Sequence, residues 1–170
     1  MEVNNGKEKP TLHFMCGKMA AGKTTLSKKL EKQYNAILIC EDIWLQKLYP
    51  TEISNFEDYL KYSKRLREII KPHVNELLIK GNSVVLDFPA NVPILRNWIK
   101  SIYELSNANH CLHYLDVSNE KCIKQLNKRN EEKPEGSMEM TLEEFEKITS
   151  YFVPPEKEEG YNVIVHKTAE

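Results

Sequence analysis

Five short apolar runs punctuate the chain at residues 11–16, 36–40, 83–87, 111–117 and 161–166. Most are continuous rather than alternating, the pattern of strands buried on both faces of a parallel sheet. Between them the apolar positions change to a period near 3.6. Residues 24–34 read as a first helix. Phe56, Tyr59, Leu60, Leu66, Ile69 and Ile70 mark a second helical face behind a capping-box pattern at Ser54 and Glu57. Pro72 is expected to interrupt or restart that helix before Gly81 ends it. Ile94, Leu95, Trp98, Ile99, Ile102 and Leu105 give the clearest helical stripe, and a basic helix follows over residues 119–130. Thr141 and Glu144 form another capping box, opening a helix with Leu142, Phe145, Ile148 and Phe152 facing inward. Residues 43–50, with Trp44, Leu45, Leu48 and Tyr49, read as an apolar connector, and residues 131–140, with Pro134 and Gly136, as a mobile surface loop. The order βαβαβαβαβ predicts an α/β fold, a three-layer parallel sheet with helices on both faces. Ligands of such sheets bind beyond the C-terminal strand ends.

Composition narrows this picture. A length of 170 residues fits a single domain, 1–170, with residues 1–10 as a flexible tail. The 24 basic and 25 acidic side chains nearly cancel, so no global charge favours a nucleic-acid or membrane surface. Cys16, Cys40, Cys111 and Cys122 form no C-x-x-C pair and read as reduced core cysteines. No apolar run approaches the ~18 residues of a membrane span, and the polar first ten residues lack a signal core. A cytoplasmic protein is expected, with its oligomeric state left open.

The chemistry concentrates after the first strand. Gly17-Lys18-Met19-Ala20-Ala21-Gly22-Lys23-Thr24 matches G-x-x-x-x-G-K-[ST] at every fixed position and sits between a strand and a helix, the setting a phosphate-binding loop requires. Its backbone N–H groups, with Thr25 next in line, would cradle phosphates at a helix N-terminus. Lys23 would reach the β- and γ-phosphates and Thr24 would hold Mg²⁺. Asp87 closes an hhhhD strand and is placed for the metal, whereas Asp42 is assigned as general base on the acceptor side, with Glu41 as its fallback. Either acid could instead be a solvated strand-end residue. Arg129, where a helix meets a mobile loop, could swing over the phosphates or simply be a helix C-terminal cation. Arg65 and Arg96 could bind an anionic substrate or sit in surface ion pairs; Tyr59 could line an acceptor pocket or belong to the core. His13 and His113 lie within strands and read as core histidines.

The loop at 17–24, Glu41-Asp42 with Trp44-Leu45 and Leu48-Tyr49-Pro50, Val84-Val85-Leu86-Asp87-Phe88-Pro89-Ala90-Asn91, Leu126 with Arg129-Asn130, and Glu159-Gly160-Tyr161-Asn162-Val163 together resemble small bacterial P-loop proteins labelled "AAA family ATPase" or "predicted kinase". Over residues 11–166 the chain is similar to the nucleoside-monophosphate-kinase-like group, with gluconate kinase, chloramphenicol phosphotransferase and zeta toxin as relatives. The resemblance implies a P-loop NTPase fold with strand order 2-3-1-4-5, ATP at the loop, a lid over it, and an acceptor held by the helical segment after the second strand. It implies that Asp42 is the acceptor-side carboxylate, Arg129 the lid arginine, and Pro155 a residue flanking the adenine. Gln125 stands where lids of this group often carry arginine, and Lys133-Pro134-Glu135-Gly136 replaces a His-Pro-Phe-like segment. The expected function is Mg²⁺-dependent transfer of the ATP γ-phosphoryl group to a small hydroxyl compound, with no nucleic-acid or membrane partner. The alternative is a nucleotide-dependent regulatory module that hydrolyses ATP slowly.

Overall fold

The computed structural model describes residues 8–167; the first seven residues of the expected tail lie outside them. Five strands pair in parallel in the order β2-β3-β1-β4-β5. They are β1 (Thr11–Gly17), β2 (Ile37–Cys40), β3 (Val84–Pro89), β4 (Asn109–Asp116) and β5 (Val163–Lys167), and the helices between them are α1 (Lys23–Tyr34), α2 (Glu41–Leu48), α3 (Phe56–Ile79), α4 (Pro93–Leu105), α5 (Asn119–Glu132) and α6 (Leu142–Thr149). β1 begins at Thr11, as expected, and the Pro10 carbonyl just before it accepts from the Asn109 N–H at 2.9 Å.

Alternation along the central strands divides two cores. Leu12, Phe14 and Cys16 of β1 join Leu66, Ile70, Val74 and Leu78 of α3 and Ile99 and Ile102 of α4. On the opposite face Met15 and Val85 pack on Leu30 of α1, while Leu115, Cys122, Leu126 and Phe145 form the layer of α5 and α6. All four cysteines are free and buried. The β5 edge departs from the buried-strand expectation, with Ile164 and Val165 exposed.

Four helix expectations are corrected. Residues 43–50 are not an apolar connector: α2 begins directly after β2, so Glu41 and Asp42 occupy its first turn. The cap of α3 is Asn55, whose side chain accepts from the Asp58 N–H, one position after the expected Ser54. Pro72 does not break α3, which runs for 24 residues through it. Its ring lies on the exposed side, where water can satisfy the carbonyl left without a donor. At the other end a paired reverse turn closes the helix, with the Gly81 N–H donating to Leu78 and the Asn82 N–H to Leu77. In α6 Phe145 is buried, but Leu142 faces solvent. Phe152 lies beyond the helix end and packs on the α3/α4 core.

A ladder of imidazoles crosses the second face. His13 Nδ1 lies 3.1 Å from His113 Nε2, and His113 Nδ1 lies 2.9 Å from His166 Nε2. His13 stacks on Tyr34, and its Nε2 is buried with no partner among the described residues. Burial lowers the pKa of all three, with His113 brought down to about 4, so the ladder is neutral at pH 7.

Candidate active site

Between the end of β1 and the start of α1, the chain turns through left-handed residues at Ala20 (φ 58°) and Gly22 (φ 99°). The second is the N-cap of α1, a backbone state that glycine enters without steric cost. The helix has neither a side-chain cap nor an acid in its first turn. Its leading N–H groups and positive dipole end are therefore left for an anion. Lys23 Nζ donates to the Gly17 and Lys18 carbonyls at 2.7 and 2.8 Å, which fixes its ammonium over the loop. Burial lowers its pKa, while Asp87 and Asp42 oppose that shift. Lys18 turns away to the Val117 carbonyl. Thr24 and Thr25 stand exposed on the first turn of α1.

The β2–β3 register brings the two acids to the same edge by pairing Cys40 with Asp87. Cys40 Sγ donates to Asp87 Oδ2 at 3.4 Å, and burial together with that carboxylate pushes the thiol up to about 12. A thiol is a weak donor, so Asp87 keeps lone pairs for a stronger partner. Asp42 is exposed at the mouth of the pocket that it lines. Desolvation, then the like charge of Asp87, raise its pKa to about 6; Lys23 and Arg129 pull the other way. Glu41 cannot serve as a fallback base. It is buried and accepts from Ser63 Oγ and, at 2.7 Å, from the Tyr59 hydroxyl. Desolvation raises it to about 7 despite those two donors.

Arg129, in the last turn of α5, is half-buried against the phosphate loop. Its Nη2 contacts Met19 Sδ at 3.4 Å, and its Nε is buried with no partner among the described residues. Burial lowers its pKa, and the charge of Asp42 opposes that shift. A buried N–H without an acceptor is costly, and an anionic oxygen would satisfy it.

Other expected site residues separate. Arg96 is fully buried, forms a bidentate pair with Glu159 at 2.7 Å for each bond, and donates to the Ala90 and Val153 carbonyls. It is neither a surface ion pair nor available to a substrate. Arg65 is exposed, its guanidinium 5.5 Å above the Tyr62 ring, and it does not line the pocket beside Asp42. Tyr59 does line it. That cavity, about 150 Å³, is bounded by Asp42, Leu45, Gln46, Pro50, Ile53, Tyr59, Gly136, Ser137 and Met138. Pro155 is half-buried in the segment after α6, where the Val153 N–H donates to the Asn91 carbonyl.

Two features escaped the motif reading. Asn91 Oδ1 accepts from the Gly17 N–H at 2.9 Å, so one residue ties the start of the phosphate loop to the segment holding Pro155. Its position two residues past the strand that carries Asp87 was the available signal. The second is the lid's anchor: the Gly136 N–H donates to Gln46 Oε1 at 2.9 Å and Lys47 pairs with Glu135 at 3.2 Å, closing residues 131–140 on α2.

Strand order, loop and cleft define a P-loop nucleotide-binding fold of the kinase-like kind. Residues 12–155 match the family model of the AAA domain (AAA_33), and the chain belongs to that family. None of the curated proteins compared with the chain matches it. Among solved structures, a presumptive kinase from Chloroflexus aurantiacus is similar at 16% identity and TM-score 0.77, covering 95% of this chain and 87% of that one. The Mycobacterium tuberculosis APS kinase CysC, in complex with AMPPNP and APS, gives 13% identity and TM-score 0.65 over 95% of this chain and 90% of that one. A gluconokinase from Sinorhizobium meliloti gives 14% and 0.61, covering 95% and 84%. At these identities the likeness is one of fold.

Proposed function

We propose that this protein is a cytoplasmic ATP-dependent kinase that transfers the γ-phosphoryl group to a hydroxyl of a small molecule. The observation that carries this reading is the convergence on Asp42, whose carboxyl is biased at once by Asp87, Lys23 and Arg129. A phosphate loop alone would serve binding or hydrolysis; a carboxylate that opens into a pocket closed over by residues 136–138 suits an acceptor hydroxyl.

In this reading Asp42 takes the proton of the acceptor hydroxyl. The acceptor oxygen forms a bond to the γ-phosphorus as the bond from that phosphorus to the bridging oxygen breaks, and ADP leaves. Lys23 and the α1 N-terminus stabilise charge on the phosphates, and Arg129 supplies its unpartnered guanidinium N–H to the same oxygens. Thr24 and Asp87 offer the hydroxyl and carboxylate oxygens that suit Mg²⁺, which when bound would neutralise phosphate charge. Pro155 flanks the base, held by the Asn91 and Arg96 contacts to Val153. Residues 8–167 act as one domain.

The test is incubation with γ-labelled ATP, Mg²⁺ and a broad panel of hydroxyl compounds, followed by separation of products. Label on an acceptor is expected. Label released only as free phosphate, slowly and independently of every compound, would replace the kinase with a nucleotide-dependent regulatory module.

A further inference from the structure

The pocket beside Asp42 carries a charge signature that narrows the acceptor. Of its lining residues Asp42 alone is charged, and negatively; Leu45, Pro50, Ile53 and Met138 are apolar, and Gln46, Tyr59 and Ser137 are neutral polar. No basic side chain lines this pocket. Lys23 lies over the phosphate loop and Arg129 against Met19. Arg96 is locked to Glu159, and Lys47 is paired with Glu135 outside the cavity. Arg67 donates to the Ser63 carbonyl with its guanidinium 6.0 Å from the Trp98 ring.

The hydrogen-bond inventory points the same way. Tyr59 gives its proton to Glu41, and Ser137 gives its proton to the Pro134 carbonyl at 2.6 Å. Both oxygens then have only lone pairs left to offer. Gln46 spends its carbonyl on the Gly136 N–H, which leaves its amide NH₂ as the side-chain donor of the wall. A wall rich in acceptors, with a carboxylate at its base, favours a ligand that brings its own donors. A carboxylate or phosphate on that ligand would face Asp42 across a wall that supplies no cation of its own. The cavity is also small, about 150 Å³ under the seated lid, against roughly 300 Å³ at the low end for drug-sized ligands.

We infer that the acceptor is a small polyhydroxyl compound without negative charge, neutral or cationic, and not a sugar acid, sugar phosphate or nucleotide. The inference rests on the kinase reading above. It predicts that the pocket, rather than the phosphate loop, discriminates by charge.

The experiment uses the full chain. A low-molecular-mass metabolite extract is separated on an anion exchanger into retained and flow-through pools, and each is incubated with γ-labelled ATP, Mg²⁺ and protein. Flow-through is expected to support label transfer to new anionic products at least about a hundredfold faster than the retained pool. Defined pairs that differ by a carboxylate in place of a hydroxymethyl group, such as gluconate against sorbitol, extend the comparison. The variant Met138→Arg, which sets a cation on the pocket wall, is expected to shift the ratio toward the retained pool by about tenfold or more while leaving the affinity for AMPPNP unchanged. Transfer from the retained pool at an equal or higher rate by the unaltered protein overturns the charge inference and keeps the kinase. AMPPNP binding with no transfer from either pool overturns the kinase reading, and the inference with it.

Discussion

Glu41 and Asp42 are adjacent carboxylates in the first turn of α2, and their surroundings divide their work. The positive end of a helix stabilises a carboxylate by about 0.3–1 kcal/mol. That is too little to offset desolvation here, so both pKa values rise, Glu41 to about 7 and Asp42 to about 6. Glu41 is sealed beneath Tyr59 and Ser63; Asp42 faces the pocket. A general base must be deprotonated to act. The proposed role therefore requires kcat/KM to climb with pH and level off above about 6, a limb that Asp42→Asn removes while lowering turnover by about 10²–10⁴ at unchanged nucleotide affinity. A flat profile from pH 5 to 7 in the unaltered protein would exclude Asp42 as base. A second residue-scale prediction concerns Arg96, whose Arg96→Met variant is expected to lose about 3 kcal/mol of stability in urea unfolding, the lower end for breaking a buried pair because Glu159 keeps some water contact. A loss under about 1 kcal/mol would show the pair to be dispensable. Its sequence position alone suggested a surface charge, since its partner lies 63 residues away. The phosphate loop, by contrast, was legible because the residues that form the cradle, Gly17 to Thr24, are contiguous in the chain.

At the scale of elements, the lid shows what periodicity cannot read. Residues 131–140 carry no apolar period, so their composition indicates a loop and nothing about where it rests. The seat is made by a close approach: Gly136 has φ +79°, and a Cβ there would lie 3.1 Å from Ile43 Cγ1 and 3.2 Å from the Ile43 nitrogen. Gly136→Ala is therefore expected to lift the lid from α2, lowering kcat about tenfold or more while ATP affinity stays within about twofold. Equal losses in both would mean that the lid serves nucleotide binding instead. The helices were legible wherever one face is buried, as in α4. They were misread where a local rule was overridden, as at Pro72, whose outward-facing ring lets tertiary packing of Leu66, Ile70, Val74 and Leu78 carry α3 past it.

The molecule as a whole is a β-sheet with a phosphate edge and a histidine ladder, and the ladder sets how stability responds to acid. His13 and His113, which are buried, and half-buried His166 all have lowered pKa values, so the unfolded chain binds more protons than the folded one as pH falls below 6.5. Stability is then complete above the unfolded value and is lost progressively toward pH 4, where His113 itself takes a proton. Glu41 and Asp42 act in the opposite sense: with raised pKa values they contribute most when protonated, and that contribution disappears as pH rises through about 6 to 7. The groups facing the ladder do not cancel it, since Lys29 disfavours a charge on His166 and Cys111 stays a thiol, its pKa pushed up to about 11. His113→Gln keeps a side chain able to donate and accept between β1 and β5 but cannot titrate. Its unfolding free energy is expected to fall less steeply than that of the unaltered protein between pH 6.5 and 4.5, whatever it loses at pH 7.5. Parallel slopes in urea titrations across that range would show that the ladder does not govern the acid limb.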